Sequence, residues 1–215
     1  MKDSLRITEI FYSLQGETST VGLPTVFVRL TGCPLRCVYC DTEYAFHGGE
    51  RQSIDAIVEQ VRGLGAPFVT VTGGEPLAQR ECLALLQRLC DEGFRVSLET
   101  SGALPIDGVD PRVAVILDLK TPGSGEVGRN LYSNIDLLKA GDEVKFVICS
   151  REDYQWARMR LDEYHLGERV ANVLFSPSYG TLDATDLANW IIEDRLAVRL
   201  QLQLHKLLWN DEPGH

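Results

Sequence analysis

The chain has 215 residues, of which 44% are hydrophobic and 24% are charged, proportions that are typical of a globular protein. Its formal net charge of −10 excludes the basic composition that is usual for nucleic-acid-binding proteins. The N-terminus has no apolar signal-peptide core and no apolar stretch approaches the length of a membrane span, so we expect a cytoplasmic protein. We also expect one domain over residues 1–215, with a distinct N-terminal segment at about 7–24 and a short C-terminal tail at about 209–215.

Strand and helix patterns alternate along the chain. Short runs rich in β-branched and apolar residues predict strands at 25–30, 68–72, 95–99, 113–119, 144–149, 172–175 and 197–204. Helical periodicity predicts helices at 53–64, 81–92, 134–140, 152–164 and 184–193. This alternation implies an α/β fold with a mainly parallel sheet. About six core strands with few full helices fit a partial, open α/β barrel, in which ligands bind at the C-terminal ends of the strands.

Three cysteines lie close together, within a span of eight residues, in the segment that follows the first of these core strands. Cys33, Cys37 and Cys40 have the spacing C-x3-C-x2-C, and no further cysteine or histidine extends the pattern. Three thiolates can hold three corners of a [4Fe–4S] cluster and leave one iron open to a small molecule, as in the binding of S-adenosylmethionine (SAM). A structural zinc site is the alternative, and it would need a fourth ligand such as His47.

Polar motifs follow the later strands as well. They are Thr72-Gly73-Gly74-Glu75-Pro76, Glu99-Thr100-Ser101-Gly102, Asp118-Leu119-Lys120, Ser176-Pro177 and, after the last predicted strand, His205-Lys206. Because the ends of parallel strands meet at one edge of a sheet, these motifs predict one shared ligand site. The remaining cysteines are interpreted as buried apolar thiols of the core: Cys82, Cys90 and Cys149.

The motifs carry a family resemblance. The cysteine triad followed by Gly-Gly-Glu-Pro after the second core strand resembles the radical SAM superfamily. More narrowly, the chain resembles the 7-carboxy-7-deazaguanine synthase family of the queuosine pathway in four motifs, Ser13-Leu14-Gln15-Gly16-Glu17, Cys40-Asp41-Thr42, Glu99-Thr100-Ser101-Gly102 and His205-Lys206. The match runs from about residue 7 to residue 209. Thr18 departs from the glycine that is usual in the family, and the tail after residue 209 has no match.

The resemblance implies an activity. It implies a radical SAM carbon–nitrogen lyase that converts 6-carboxy-5,6,7,8-tetrahydropterin into 7-carboxy-7-deazaguanine and releases ammonia. A [4Fe–4S] cluster on Cys33, Cys37 and Cys40 would bind SAM at its open iron for cleavage to a radical, and Thr42 would bind Mg²⁺. A flavodoxin- or ferredoxin-type electron donor and a homodimer are implied by the same resemblance.

The resemblance also implies which other residues form the site. The implied SAM contacts are Tyr39, Cys40, Asp41, Gly74, Glu75, Asp118, Leu119, Lys120, Ser176 and Pro177. The implied pterin contacts are Leu14, Gln15, Gly16, Glu17, Arg29, Thr72 and His205. Arg29 suits this role physically, because an unpaired charge in an apolar strand is costly and a guanidinium can pair bidentately with a carboxylate. The alternative for Arg29 is an outward-facing strand position.

Two other functional classes stay open at this point. A short radical SAM chain could be an activating enzyme that places a glycyl radical on a partner protein, and pterin turnover would distinguish the two. The cysteine loop could instead belong to a non-enzymatic zinc-binding module, in which case iron and acid-labile sulfide would be absent.

Overall fold

One open sheet organises the part of the chain that the structure, a computed structural model, describes, namely residues 3–210, 212 and 214. Its strands are β1 (Ser4–Leu14), β2 (Pro24–Leu30), β3 (Glu50–Ser53), β4 (Phe68–Gly73), β5 (Arg95–Thr100), β6 (Ala114–Asp118), β7 (Glu143–Ile148), β8 (Asn172–Pro177) and β9 (Arg199–Leu200). Their spatial order is β3-β1-β2-β4-β5-β6-β7-β8-β9. All pairs from β2 to β9 are parallel, and β1 is antiparallel to both β2 and β3. Since β3 and β9 stand at opposite ends, the predicted partial, open barrel is confirmed.

Helices follow most of the strands, and three of them begin at a side-chain cap. The helices are α1 (Ile54–Leu64), α2 (Cys82–Asp91), α3 (Arg151–Glu163), α4 (Leu166–Arg169), α5 (Ala184–Glu193) and α6 (Leu204–Trp209). The Ser53 hydroxyl accepts from the Ala56 N–H at 3.2 Å and begins α1, and Gly65 ends it with a φ of 76°. Ser150 caps α3 in the same way. Within the described residues, no helix is long and apolar enough to cross a membrane.

Two clusters of buried side chains form the core. The first packs α1 and α2 against β1, β2, β4 and β5, with fully buried residues such as Val28, Val71 and Leu86. The second packs α3 and α5 against β6, β7 and β8, and it includes the fully buried Phe146 and Phe175. Each such side chain contributes about 1.5–3 kcal/mol when it is removed from water. The two clusters fix the strands, so the loops after the strand ends are held in place.

The sequence-based predictions are wrong for four elements. The strands β1 and β3 were not predicted. The predicted helix at 134–140 is a short 3₁₀-helix at Tyr132–Leu137. The predicted strand at 197–204 is reduced to the two residues of β9, so His205 and Lys206 lie on α6 and not at a strand end.

Local hydrogen bonds explain these differences. In β1 the register shifts between Ile7 and Glu9, and this irregularity breaks the alternation of apolar residues that would have revealed the strand. The Asn134 side chain donates to the Leu104 carbonyl at 2.9 Å and to the Gly102 carbonyl at 3.2 Å, and such bonds compete with helix formation. After β9, the Gln201 side chain donates to the Gly16 carbonyl, which directs the chain away from the sheet.

Candidate active site

Two adjoining cavities lie at the carboxyl ends of the parallel strands. The larger has a volume of about 200 Å³ and is lined by the cysteine loop and by the residues that end β4, β5, β6 and β7. The smaller, of about 140 Å³, is lined by the loop after β1 and by part of α6. The two cavities share the lining residues Glu17, Arg29, Asp41, Thr42, Thr72 and Glu99. They are therefore neighbouring halves of one site, in the place that an open α/β sheet favours.

The three loop cysteines face the larger cavity as free thiols. Cys33, Cys37 and Cys40 all line it, and none forms a disulfide. Burial raises the pKa of Cys37 to about 11 and moves the pKa values of the other two upward as well. Among the described lining residues no fourth cysteine is present. Three thiols without a fourth fit a [4Fe–4S] cluster that keeps one iron open, whereas a closed zinc site needs four ligands.

The Gly-Gly-Glu-Pro motif packs directly against the cysteine loop. A Cβ atom on Gly74 would lie 2.4 Å from the Gly32 carbonyl oxygen and 2.7 Å from the Cys33 Cβ, so only glycine fits. Glu75 turns away from the cavity and is fully buried. Its carboxylate accepts from the Thr100 hydroxyl at 2.9 Å and from the Ser101 N–H at 2.7 Å. Glu75 therefore holds the end of β5 in place without lining the cavity itself.

The predicted SAM residues divide into two groups. Six of the ten line the larger cavity, namely Tyr39, Cys40, Asp41, Gly74, Asp118 and Lys120. The other four do not: Glu75 supports β5, Leu119 is fully buried in the core, and Ser176 and Pro177 lie within β8. The two residues that follow β8 line the cavity in their place, Ser178 and Tyr179.

Unpaired polar atoms mark the ligand side of this cavity. Lys120 donates to one carboxylate oxygen of Asp118 at 2.9 Å, while the other oxygen, Oδ1, is buried without a hydrogen-bond partner among the described residues. The Tyr39 hydroxyl is also buried and without a described partner, and burial raises the pKa of this tyrosine so that it stays neutral. Buried polar atoms are usually paired, so these two point to a polar ligand.

All seven predicted pterin residues line the smaller cavity: Leu14, Gln15, Gly16, Glu17, Arg29, Thr72 and His205. Aromatic side chains complete the walls, and two tail residues that the structure describes also reach them. These additional residues are Phe11, Phe27, Tyr44, Glu212 and Gly214. The predicted tail residues 211, 213 and 215 lie outside the described residues.

Arg29 faces the site from β2. Its Nε donates to Glu9, its cross-strand neighbour on β1, at 2.6 Å, and the Tyr44 hydroxyl donates to the same carboxylate at 2.8 Å. The guanidinium lies 5.8 Å from the ring centre of Phe11. The two terminal nitrogens have no hydrogen bond to a described residue, so they are available to a carboxylate. The outward-facing alternative does not apply.

A partly buried carboxylate that the sequence analysis did not single out lies beside Arg29. Glu99 accepts from the Gln15 side-chain amide at 3.1 Å and from the Thr72 hydroxyl at 3.1 Å. Burial raises the pKa of Glu99, and the nearby charge of Glu17 raises it further. Its position as the first residue of the Glu99-Thr100-Ser101-Gly102 motif was the signal that could have identified it.

Glu17 stands at the border between the two cavities. Its carboxylate accepts from the Lys145 ammonium, which the sequence analysis missed, and from the Gln203 amide at 2.9 Å. Burial alone would raise the pKa of Glu17, but the charges of Lys145 and His205 with these hydrogen bonds hold it below its usual range. A lysine within the apolar run 144–148 was the available signal, the same signal that singled out Arg29.

The start of α6 closes the site against the loop after β1. The Leu204 N–H donates to the Gly16 carbonyl at 3.1 Å, and a Cβ atom on Gly16 would lie 3.0 Å from the His205 Nδ1. Lys206, 5% exposed, pairs with Asp41 at 2.7 Å. The N-terminal loop, the cysteine loop and α6 are thus joined at the cavity.

Thr42 is placed where a metal ligand could act. It precedes a 3₁₀-helix at Glu43–Phe46 but makes no capping hydrogen bond, and its hydroxyl donates to Asp41 at 2.7 Å. Thr42 lines both cavities, and a hydroxyl oxygen that donates its hydrogen still has lone pairs for a metal ion. Glu17, Asp41 and His205 also have ligand atoms within 4.8 Å of one another, but Lys145 and Lys206 already neutralise the two carboxylates.

The chain is similar to known proteins over nearly its whole length. A model of the Radical SAM superfamily matches residues 27–121. The chain is 47% identical to the 7-carboxy-7-deazaguanine synthase of Koribacter versatilis, over 97% of this chain and 98% of that protein. It is 46% identical to the protein of the same name from Chlorobaculum tepidum, over 97% and 96%. The crystal structure of QueE from Escherichia coli superimposes with a TM-score of 0.75 at 24% identity, over 93% and 94% of the two chains, and shows the same fold. The chain therefore belongs to the 7-carboxy-7-deazaguanine synthase family of the radical SAM superfamily.

Proposed function

We propose that this protein converts 6-carboxy-5,6,7,8-tetrahydropterin into 7-carboxy-7-deazaguanine with release of ammonia, as a carbon–nitrogen lyase of the queuosine pathway. One observation carries the proposal. The cavity with the three free thiols adjoins a second cavity that presents the open terminal nitrogens of Arg29. A cluster-bound SAM and a carboxylated substrate would therefore lie side by side. The names of the relatives give the product of the reaction.

The larger cavity suits the cluster and SAM, which are the cofactors of the radical SAM superfamily. Cys33, Cys37 and Cys40 would hold the cluster. When bound, the cluster and SAM supply a radical that removes a hydrogen atom from the substrate. Asp118 Oδ1 and the Tyr39 hydroxyl offer hydrogen bonds to the polar groups of SAM. Gly74 keeps the end of β4 close enough to the cysteine loop for both to contact the same ligand.

The smaller cavity suits a flat, polar, carboxylated ring. Arg29 would pair with the pterin carboxylate through its two terminal nitrogens. Glu99 and Glu17 present carboxylate oxygens to the N–H groups of a reduced pterin, and Gln15 and Thr72 hold Glu99 in place. Aromatic walls exclude water from the bound ring.

Thr42 is proposed to bind Mg²⁺ at the junction of the two cavities. A hard cation prefers oxygen ligands and keeps several waters, so a single protein hydroxyl with substrate oxygens and water is a suitable set. His205 is proposed to contact the pterin from the opposite wall, because it packs against Gly16 and lines the same cavity.

The test of this function is an anaerobic assay. The protein is reconstituted with iron and sulfide and supplied with SAM, Mg²⁺, a reductant and the tetrahydropterin. We expect 7-carboxy-7-deazaguanine and ammonia in equal amounts. Absence of both products from a protein that carries its cluster and still cleaves SAM would disprove the proposal.

The rival classes explain less of the site. A zinc-binding module does not account for three cavity-lining thiols without a fourth ligand, and His47 does not line either cavity. A glycyl-radical activating enzyme has no use for the Arg29 pocket. A flavodoxin- or ferredoxin-type electron donor, a homodimer, a cytoplasmic location and the single-domain organisation remain predictions.

A further inference from the structure

A lysine is buried in the middle of a central strand. Lys145 lies on β7 between the fully buried Val144 and Phe146 and is 8% exposed. A buried ammonium is costly unless it is paired with an opposite charge. Its Nζ donates to the Glu17 carboxylate, 128 residues away along the chain. This pair links the central strand to the loop after β1.

The partner of Lys145 lies at the border between the two cavities. Glu17 lines both cavities and is held by Lys145, by the Gln203 amide, and by its own N–H, which donates to the Gln15 side chain at 2.9 Å. Asp118, which is opposite Lys145 on β6, takes its hydrogen bond from Lys120 instead. Lys145 lines the larger cavity, but its hydrogen bond goes to Glu17 and not to Asp118.

A second contact from β7 holds the same loop. Glu143, on the same face of β7 as Lys145, accepts from the Ser19 N–H at 3.2 Å. Two residues of one rigid strand thus fix the loop after β1 at two points. Other charged or titratable groups near Glu17 are Asp41 on the cysteine loop, Glu99 on β5 and His205 on α6. Two of these are carboxylates, which would repel Glu17 if Lys145 were absent.

We propose that Lys145 is a positioning residue for the substrate, which holds the Glu17 carboxylate in one orientation so that it accepts a hydrogen bond from an N–H group of the pterin. The inference rests on the proposed function, because it assumes a reduced pterin, whose ring is rich in N–H donors. Without the ammonium, the Glu17 carboxylate loses its charged partner beside two other carboxylates and turns away from the substrate.

Equilibrium binding without turnover tests the inference. Reconstituted holoenzyme with SAM and Mg²⁺ but no reductant is titrated with the tetrahydropterin, and SAM binding is measured separately. Lys145→Met is expected to weaken pterin binding by about tenfold or more, since the loss of one partner of a buried charge pair is severe. SAM affinity should change by less than about threefold, because Lys120 serves Asp118. Lys139→Met is the matched control: it removes a partly exposed lysine from an ion pair with Asp142 away from both cavities, so it should leave both affinities unchanged.

A double-mutant cycle separates positioning from packing. If Lys145 acts through Glu17, adding Lys145→Met to Glu17→Gln should weaken pterin binding by less than about twofold beyond Glu17→Gln alone. Equal losses of pterin and SAM binding, or independent losses in the double variant, would overturn the inference. If Lys145→Met alone does not fold, the comparison of Glu17→Gln with the double variant decides. If the double variant does not fold either, Lys145 is a structural residue and the inference is wrong. Failure of the wild type to bind pterin would instead refute the proposed function.

Discussion

Arg29 has one nitrogen in an ion pair and two without a described hydrogen bond, and it lines both cavities, so its replacement separates structure from binding. Arg29→Ala should lower kcat/KM for the pterin by the equivalent of about 2–4 kcal/mol, because a charge-assisted bidentate contact is lost in a closed site. SAM cleavage without pterin should persist. Glu9→Gln is the control, since it removes the ion pair but keeps the guanidinium. An unchanged KM for pterin in Arg29→Ala would contradict the assignment.

The hydroxyl oxygen of Thr42 is the proposed Mg²⁺ ligand, so substitutions at this residue test the metal site. Thr42→Val keeps the shape of the side chain and removes its hydroxyl, so packing should survive while the stimulation of turnover by Mg²⁺ falls. Thr42→Ser keeps the oxygen and should retain most of the stimulation. Activity is titrated against Mg²⁺ in the three proteins. Identical curves for wild type and Thr42→Val would rule out a ligand role.

The three loop cysteines are distinguished from the other thiols by where they lie. Replacing Cys33, Cys37 and Cys40 together by alanine should abolish the cluster, because no other described cysteine lines the cavity. Cys90→Ala is the matched control on α2 and should leave iron and sulfide content unchanged. Both are measured after anaerobic reconstitution. A cubane cluster in the triple variant would show that the ligands have been misassigned.

Single residues were predictable from the sequence where their chemistry conflicts with their surroundings or their spacing is specific. Clustered thiols and a charge in an apolar strand identified the cysteines and Arg29. Lys145 gave the same kind of signal, but its partner Glu17 lies 128 residues away, and such a pairing depends on the tertiary fold. Ser176 and Pro177 were misassigned because β8 extends two residues further than the sequence pattern indicated. The residues that line the cavity after this strand are therefore Ser178 and Tyr179.

At the scale of elements, the contact between β4 and the cysteine loop is the critical junction. Gly74→Ala should destabilise the protein by about 1–3 kcal/mol, because its Cβ atom meets backbone that cannot move without displacing Cys33. Cluster content should fall with it. Gly63→Ala in the last turn of α1, where a Cβ atom meets nothing within 4 Å, should instead stabilise slightly, by at most about 0.5–1 kcal/mol. Melting temperature and iron content check both variants, and a loaded, wild-type-like Gly74→Ala protein would refute the role of this junction.

The elements that were predicted correctly are those with a simple period and a clear cap. The parallel strands β2, β4, β5, β6, β7 and β8 were predicted correctly because they are short runs rich in apolar and β-branched residues. α1 has both an apolar stripe and Ser53 as its N-cap. The errors concern elements whose conformation is set by distant hydrogen bonds. The Gln201 side chain reaches the Gly16 carbonyl across 185 positions of sequence, and no local pattern encodes that contact.

The molecule as a whole has a net charge of −10, but the carboxylates of its active site are mostly paired with cations. Carboxylates and cations alternate through the site, with Glu17 beside Lys145, Asp118 beside Lys120 and Asp41 beside Lys206. Glu99 differs, because its described hydrogen bonds come from neutral groups and burial raises its pKa. This carboxylate, at the junction of both cavities, makes no described ion pair, and such a group is costly for stability and useful for substrate binding. Function and folding stability should therefore trade off at this residue.

Glu99→Gln should show this trade-off as a pH-dependent gain in stability. The pKa of Glu99 in the folded state is raised above its usual value of 4.5. The contribution of Glu99 to the free energy of unfolding is therefore complete below pH 4.5, where the side chain is protonated. This contribution is lost as the pH rises through the folded-state pKa. The neutral amide removes the penalty at high pH only. The melting temperature of Glu99→Gln minus that of wild type should thus be near zero at acidic pH and positive at pH 8, by about 2–4 °C for each kcal/mol. Pterin turnover should fall at the same time.

Glu59→Gln is the control, because Glu59 forms an exposed ion pair on α1, and its melting temperature should differ from wild type by a small amount that does not grow with pH. A constant or negative difference for Glu99→Gln between the two pH values would show that Glu99 is already balanced by a neighbouring charge.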